Sequence, residues 1–121
     1  FKKNISLVKI EIMNFINKCK KNNQVLVGLG AATKGNTLLN YCNLKDTEIK
    51  CILENSKYKI GKFTPGSGIP IVDEKKFKKY NAILILPWNI TSHLYKKFLQ
   101  NTKISYTSIA KIASKVSKLN N

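Results

Sequence analysis

The sequence predicts an α/β fold, a three-layer sandwich in which helices cover a mostly parallel, doubly wound β-sheet. Two observations carry this prediction. Apolar runs alternate along the chain with segments of helical periodicity, and this alternation is typical of parallel strands joined by right-handed crossovers. The run AILILP, residues 82–87, contains only apolar residues, as expected of a strand whose two faces are both covered.

The first predicted elements are a helix, a strand and a second helix. Apolar residues recur at helical spacing over 5–21, with lysines on the opposite side, and predict an amphipathic helix. The short apolar run at 24–30 ends in glycines and predicts a buried strand. A second helix is expected over about 33–42, with Thr33 or Asn36 as its N-cap residue.

The rest of the chain continues the alternation. The further predicted elements, in order, are a strand over 48–55, a long loop over 56–71, a short helix begun by Asp73, a strand over 82–89, a helix over 91–100, a strand over 103–109 and a frayed, lysine-rich helix from Ala110. We expect the 24–30 strand in the middle of the sheet, with the strand order reversing between it and the 82–89 strand. Ligands of such sheets bind beyond the carboxyl ends of the strands, so the loops there form the candidate site.

The length of 121 residues fits one domain, and because the chain begins at Phe1 without an initiator methionine we expect a fragment of a longer protein. No apolar run reaches the length of about 18 residues that a membrane span needs, so we expect no membrane partner. Cys19, Cys42 and Cys51 are widely spaced without a CxxC pair, which argues against a disulfide framework or a zinc site. We expect them to be buried small hydrophobic residues in a reducing cytoplasm.

A net charge of +16 would ordinarily suggest a nucleic-acid partner. Here all 22 basic residues are lysines, and asparagine and isoleucine are enriched as well, which indicates a compositional bias rather than a nucleic-acid interface. Arginine, the residue used most for base readout and bidentate phosphate contacts, is absent. We therefore expect no specific nucleic-acid partner.

The glycine-rich turn GLGAATKG after the first predicted strand matches a dinucleotide fingerprint only in part. Gly28 and Gly30 stand where its first two glycines belong, but the third, Gly35, comes two residues late. The helix that begins near Lys34 directs free N–H groups towards the turn, which favours an anion, and Asn36 adds a donor. The alternative is that the glycines serve only the turn from strand to helix.

Among the other candidate residues at this edge of the sheet, Glu54 and Trp88 have two interpretations each. Glu54 follows the second strand, where a carboxylate binds ribose hydroxyls in dinucleotide folds, but a solvent-facing acid is an equal alternative. Trp88 either stacks on a base or sugar, or closes the core or a domain interface. Asn89 is placed to cap the next helix, and His93 is expected to be exposed.

Lysines and aromatic residues are interspersed in the segment 57–63, with Tyr58 between Lys57 and Lys59, and Phe63 directly after Lys62. Together these lysines would cover a diphosphate, and the alternative is that each is only solvated. No Ser-His-Asp, paired-carboxylate or Cys-His arrangement can be assembled from the spacing. The sequence therefore predicts a binding domain rather than a complete catalyst.

Three segments in succession resemble the C-terminal domain of sugar C-methyltransferases: GLGAATKGNTLLNYC (28–42), KYKIGKFTPGSGIPI (57–71) and AILILPWN (82–89). The resemblance implies a three-part enzyme that methylates a carbon of a nucleotide-linked deoxysugar. A zinc-binding domain and a methyltransferase domain with the S-adenosylmethionine site and the catalytic residues would precede a Rossmann-like domain, which is this chain. It would carry no catalytic residue, cofactor or metal and would be inactive alone.

The resemblance also implies which residues contact the substrate. The expected substrate-binding residues are Gly30, Ala31, Lys34, Asn36, Lys59, Trp88 and Asn89. The expected partners are the nucleotide-linked sugar and the missing methyltransferase domain. A freestanding oxidoreductase-like domain that binds NAD(P) or another nucleotide at the same edge is the alternative, and a basic nucleic-acid-associated module is a third hypothesis.

Overall fold

The structure is a computed structural model that describes residues 2–76, 80–87, 96 and 104–119. These residues form, in chain order, α1 (Lys2–Lys21), β1 (Leu26–Leu29), α2 (Thr33–Tyr41), β2 (Ile52–Glu54), β3 (Ile71–Asp73), a 3-10 turn (Glu74–Lys76), β4 (Ala82–Ile85), β5 (Ser105–Ser108) and α3 (Ile109–Leu119).

The five described strands form one sheet in the order β3-β2-β1-β4-β5, and every neighbouring pair is parallel. In the register of the central pair, Leu26 lies opposite Ala82 and Leu29 opposite Ile85. The strand order reverses between β1 and β4, as the sequence predicts. The predicted α/β, Rossmann-like fold is confirmed, and the carboxyl ends of all five strands lie at one edge of the sheet.

Both faces of the sheet are buried because the central strands are apolar at every position. Leu26 and Leu84 face a large core cluster that also contains the inward residues of α1, α2 and α3. Val27 and Ile83 point the other way, into a second cluster completed by Leu29, Cys51, Leu53 and Ile85. Successive residues of a strand alternate between faces, so a continuous apolar run supplies both clusters.

The helices α1 and α3 pack against the sheet through single apolar stripes. In α1, Val8, Ile12 and Ile16 repeat every four residues, and all three are buried. In α3, Ile112 and Val116 have the same spacing and are buried too. The helix predicted as a frayed tail from Ala110 is therefore an ordered element of the core.

Two predictions about local structure are wrong. The sequence did not indicate β3, which begins at Ile71, where the loop predicted over 56–71 ends. The helix predicted to begin at Asp73 is present as the 3-10 turn Glu74–Lys76, with the Asp73 carboxylate accepting from the Lys75 N–H at 2.9 Å, and its continuation at 77–79 lies outside the described residues. The N-cap of α2 is Ala32, which makes no side-chain capping bond, and neither Thr33 nor Asn36 caps the helix.

All three cysteines are free and buried, as predicted, and burial raises the pKa of each thiol. The predicted helix over 91–100 and the predictions for Trp88, Asn89 and His93 lie outside the described residues. Within the described ranges, none of the helices is both long and apolar enough to cross a membrane.

Candidate ligand-binding cleft

The turn after β1 depends on Gly30. Its φ of +84° is in the left-handed region, and a Cβ atom at this position would lie 2.7 Å from the Pro87 ring carbon Cγ. The Ala32 N–H donates to the Gly30 carbonyl oxygen at 3.0 Å and tightens the turn. The loop after β1 therefore passes directly against the end of the β4 strand, at the point where the strand order reverses.

The late glycine, Gly35, is a packing residue. It is buried within the first turn of α2, where an added Cβ would lie 2.6 Å from Leu86 Cβ and 2.9 Å from the Leu86 carbonyl oxygen. Close helix-to-strand contact is the role of the third glycine in a dinucleotide fingerprint. Here the same contact is made two residues later, so the partial match to that fingerprint is explained by packing.

Two asparagines on α2 fix the loop that follows β2. The side-chain amides of Asn36 and Asn40 both donate to the Pro65 carbonyl oxygen, at 3.0 and 2.9 Å. The Ser67 hydroxyl donates to Asn36 Oδ1 at 2.9 Å. Gly66 lies against Asn40, and an added Cβ there would meet Asn40 Oδ1 at 2.5 Å. The second resemblance segment thus folds onto the helix of the first.

Glu54 connects the loops after β1 and β2. Its side chain is 8% exposed. The Ala31 N–H donates to Oε1 at 2.9 Å, and the N–H groups of Asn55 and Ser56 both donate to Oε2 at 2.8 Å. Burial acts to raise the pKa of this carboxyl, but the three backbone N–H groups and the nearby Lys59 charge outweigh it and hold the pKa below its usual range.

Ala31 is held from its other side by a lysine. The Lys59 ammonium group donates to the Ala31 carbonyl oxygen at 2.8 Å. The peptide groups around Ala31 therefore lie between the Glu54 carboxylate and the Lys59 ammonium. This arrangement fixes the start of α2 relative to the turn that carries Lys59.

A cleft of about 300 Å³ opens between the start of α2 and the loop after β2. Its wall is formed by residues 31–33, Asn36, 58–59, 62–65 and Ile71. It combines two lysine side chains, two aromatic rings and the first turn of α2, where N–H groups are directed out of the helix. This chemistry suits an anion attached to a flat or apolar group. Among the described residues, no cluster of three or more His, Cys, Asp or Glu side chains is placed to bind a metal ion.

Comparison with known proteins identifies the family. Residues 1–110 match the profile of the C-methyltransferase C-terminal domain. The chain belongs to this family. It is also similar to the C-methyltransferase NovU of Streptomyces niveus, with 31% identity over 99 residues. That alignment covers 78% of the chain but only 24% of NovU, so the chain spans a minor part of that relative's length. The family resemblance predicted from the three segments is confirmed.

In this C-methyltransferase C-terminal domain, the predicted substrate-binding residues are only partly brought together. Ala31, Asn36 and Lys59 line the cleft, and Gly30 makes the turn that leads into it. Lys34 is exposed on the first turn of α2 but does not line the cleft. Trp88 and Asn89 are outside the described residues.

Several residues of the cleft wall are not among the predicted site residues, and Tyr58, Lys62 and Phe63 are three of them. All three lie in the second segment of the family resemblance, where aromatic residues stand next to lysines. A lysine-rich composition makes each of these positions uninformative by itself. Only the folded loop brings them to the same cleft as Ala31 and Asn36.

Proposed function

We propose that this domain contributes substrate contacts to an S-adenosylmethionine-dependent C-methyltransferase that acts on a nucleotide-linked deoxysugar. Membership of the C-methyltransferase C-terminal domain family supports the enzyme class. The observation that carries the binding role is the cleft in which Ala31, Asn36 and Lys59 come together from two family segments. The diphosphate of the substrate would bind near Lys59 and the start of α2.

The proposed contribution of Lys59 is electrostatic. Its ammonium group already lies at the Ala31 carbonyl oxygen, so it is oriented towards the start of the helix before any ligand binds. A phosphate oxygen in the cleft would accept from the same ammonium group and from helix N–H groups. Lys34, exposed on the first turn of α2, would add a further positive charge at longer range.

The geometry around Glu54 argues against the alternative of a freestanding NAD(P)-binding domain. A dinucleotide fold needs the carboxylate after β2 to accept from ribose hydroxyls. Here both Glu54 oxygens already accept from N–H groups of the protein itself, and the side chain is buried. These contacts use most of the acceptor capacity of the carboxylate and disfavour a ribose at this position, so no step of the reaction is assigned to a cofactor in this domain.

We also propose how the reaction is divided between domains, on the basis of the family resemblance. Proton removal next to a sugar ketone and transfer of the methyl group to that carbon are assigned to the missing methyltransferase domain, which would hold S-adenosylmethionine, with zinc in a further domain. This domain would bind and orient the substrate and pack against that neighbour, and would be inactive alone. Free buried cysteines suit a reducing compartment, and we place the enzyme in the cytoplasm.

Isothermal titration calorimetry of this chain tests the proposal, with UDP-glucose and TDP-glucose as probes. We expect weak binding, which Lys59→Ala weakens by about tenfold through loss of a charge-assisted hydrogen bond. Lys34→Ala is expected to weaken binding less and to leave the fold intact. Lys20→Ala, an exposed position on α1 away from the cleft, is the matched control for charge and should change nothing. Tight NAD binding, or affinity unaffected by Lys59→Ala, would contradict the proposal.

A further inference from the structure

Two of the most exposed large apolar side chains among the described residues lie on the same cleft. Tyr58 is 86% exposed and Phe63 is 65% exposed, and both belong to the cleft wall. A ring left in water forgoes the stabilisation that burial would give it. Neither ring belongs to the two core clusters, so both are available to an external partner.

The backbone that carries these rings is fixed. Phe63 forms a bridge with Pro70, and the Ile71 N–H donates to the Lys62 carbonyl oxygen at 2.8 Å. On the other side of the turn, the Lys59 and Ile60 N–H groups donate to the Ser56 carbonyl oxygen at 3.1 and 3.2 Å. The rings therefore project from an ordered loop, and little backbone entropy is lost when a ligand binds there.

The size of the cleft limits what it holds. A volume of about 300 Å³ is at the lower end of the range of about 300–1,000 Å³ found for small-molecule sites. A nucleotide-linked sugar has three rings, the base, the ribose and the linked sugar, as well as the diphosphate, so part of it must extend over the rim. Tyr58 and Phe63 are the exposed aromatic residues of the cleft wall, and they are available to a part of the ligand that extends out of the cleft.

We propose that Tyr58 and Phe63 form a subsite for the nucleobase of the substrate, a platform on which the flat base stacks while Lys59 and Lys62 bind the diphosphate. This inference rests on the proposed function, because it assigns one end of the same ligand. Aromatic residues interspersed with lysines match a ligand that combines a π-face with phosphate charge. Because every base has a π-face, the platform should accept pyrimidine and purine nucleotides alike.

The test compares ligands with and without a base. Binding of UDP, ADP and inorganic pyrophosphate is measured by calorimetry on the chain and on Tyr58→Ala and Phe63→Ala. We expect each alanine variant to weaken UDP and ADP binding by about tenfold, the size typical of lost base stacking, and to leave pyrophosphate binding unchanged. Tyr58→Phe should restore nucleotide binding and Tyr58→Leu should not. Tyr41→Ala, which removes an exposed ring outside the cleft, is the control.

The outcomes separate this inference from the proposed function. If UDP and ADP bind and Lys59→Ala weakens them, but Tyr58→Ala and Phe63→Ala do not, the base subsite is refuted and the diphosphate role stands. If the alanine variants weaken pyrophosphate equally, the rings support the loop rather than a base, and the subsite is again refuted. If neither the nucleotides nor pyrophosphate bind, both proposals fail. Rings that serve only as a docking surface for the missing domain would give this last result.

Discussion

Single residues fix the loops around the cleft, and Glu54 connects two of them, the loops after β1 and β2. Its folded pKa lies below the usual glutamate value of 4.5 because backbone N–H groups hydrogen-bond the ionised form. When the pKa of a carboxyl is lower in the folded protein than in the unfolded chain, the group stabilises the fold at any pH above its pKa in the unfolded chain. That stability is lost as the pH falls through the pKa of the group in the folded protein. The ionised carboxylate therefore stabilises this fold at neutral pH and ceases to do so in acid.

Glu54→Gln is expected to lower the free energy of unfolding at pH 7 by about 1–3 kcal/mol, because an amide NH₂ group would face backbone N–H donors. Urea denaturation of the wild type and the variant, at pH 7 and at successively lower pH values, measures this difference in the free energy of unfolding. The difference from the wild type should shrink as the pH falls below the usual glutamate pKa of 4.5. Glu11→Gln, which breaks only the surface ion pair with Lys115, is the control and should cost less than about 1 kcal/mol. A pH-independent difference would refute the role given to the charge.

Gly35→Ala tests the packing at the late glycine. Alanine is the better helix former by about 1 kcal/mol, so propensity alone predicts stabilisation. The added Cβ would instead press on Leu86 Cβ and on the Leu86 carbonyl oxygen, which cannot move without the strand end. We therefore expect a net loss of about 1–3 kcal/mol in urea denaturation, and almost no change for Lys20→Ala at an exposed position of α1. A stabilised Gly35→Ala protein would show that the helix and strand are not in close contact.

At the scale of elements, α2 is the support for the loop after β2. Its inward residue Leu39 lies in the core, and Gly35 packs on the end of β4. Its other side presents Asn36 and Asn40, both bound to the Pro65 carbonyl oxygen. The cleft between α2 and the loop after β2 therefore keeps its shape only as long as the loop stays attached to the helix.

Replacing both asparagines, Asn36→Ala with Asn40→Ala, should detach the loop without unfolding the sheet. Hydrogen exchange followed by NMR is expected to speed up at the amides of Gly68 and Ile71, whose hydrogen bonds lie within the loop. The Leu86 amide, bonded to the Leu29 carbonyl oxygen between β1 and β4, should be unaffected. Thr37→Ala, which removes a bond only to the helix's own Thr33 carbonyl, is the control. Uniform acceleration would mean that the loop and sheet open together.

Elements with a uniform apolar pattern were predictable from the sequence, and β3, which lacks one, was not. The apolar run of β4 and the stripe of α1 each dominate their segments. By contrast, β3 has only three residues and follows a segment rich in glycine and proline, so its pairing with β2 decides its structure. The predicted N-cap of α2, Thr33 or Asn36, was wrong because the N-cap position is set by where the preceding turn ends, at Ala32, and not by the nearest polar residue.

The site was predictable as a location rather than as a set of contacts. Parallel strands bring their carboxyl ends to one edge, so the convergence of Ala31 and Lys59 follows from topology. The hydrogen-bond partners of Glu54 cannot be predicted from topology. They are backbone N–H groups of two loops, and no sequence pattern marks a backbone N–H group as a partner. Asn36 was expected to contact substrate, and its side chain also holds the loop.

At the scale of the whole molecule, the sheet order and family membership describe a domain with a preformed cleft. The charge of +16 is carried entirely by lysines, and its general field should attract any polyanion. Such binding is expected to fall steeply with salt and to ignore nucleotide sequence. Electrophoretic mobility shifts of two unrelated DNA duplexes between 50 and 200 mM salt, about the range over which such contacts weaken, would measure this. A salt-resistant preference for one duplex would contradict the interpretation of the charge.

The central claim is that this domain binds the nucleotide-linked sugar in the cleft and leaves S-adenosylmethionine to another part of the enzyme. Amide chemical-shift mapping of the labelled chain tests it most directly, with UDP-glucose added to one sample and S-adenosylmethionine to another. We expect UDP-glucose to shift amides in 31–36 and 58–65, and S-adenosylmethionine at the same concentration to shift none of them. Saturable shifts with S-adenosylmethionine at the turn after β1, or UDP-glucose shifts confined to residues away from the cleft, would contradict it.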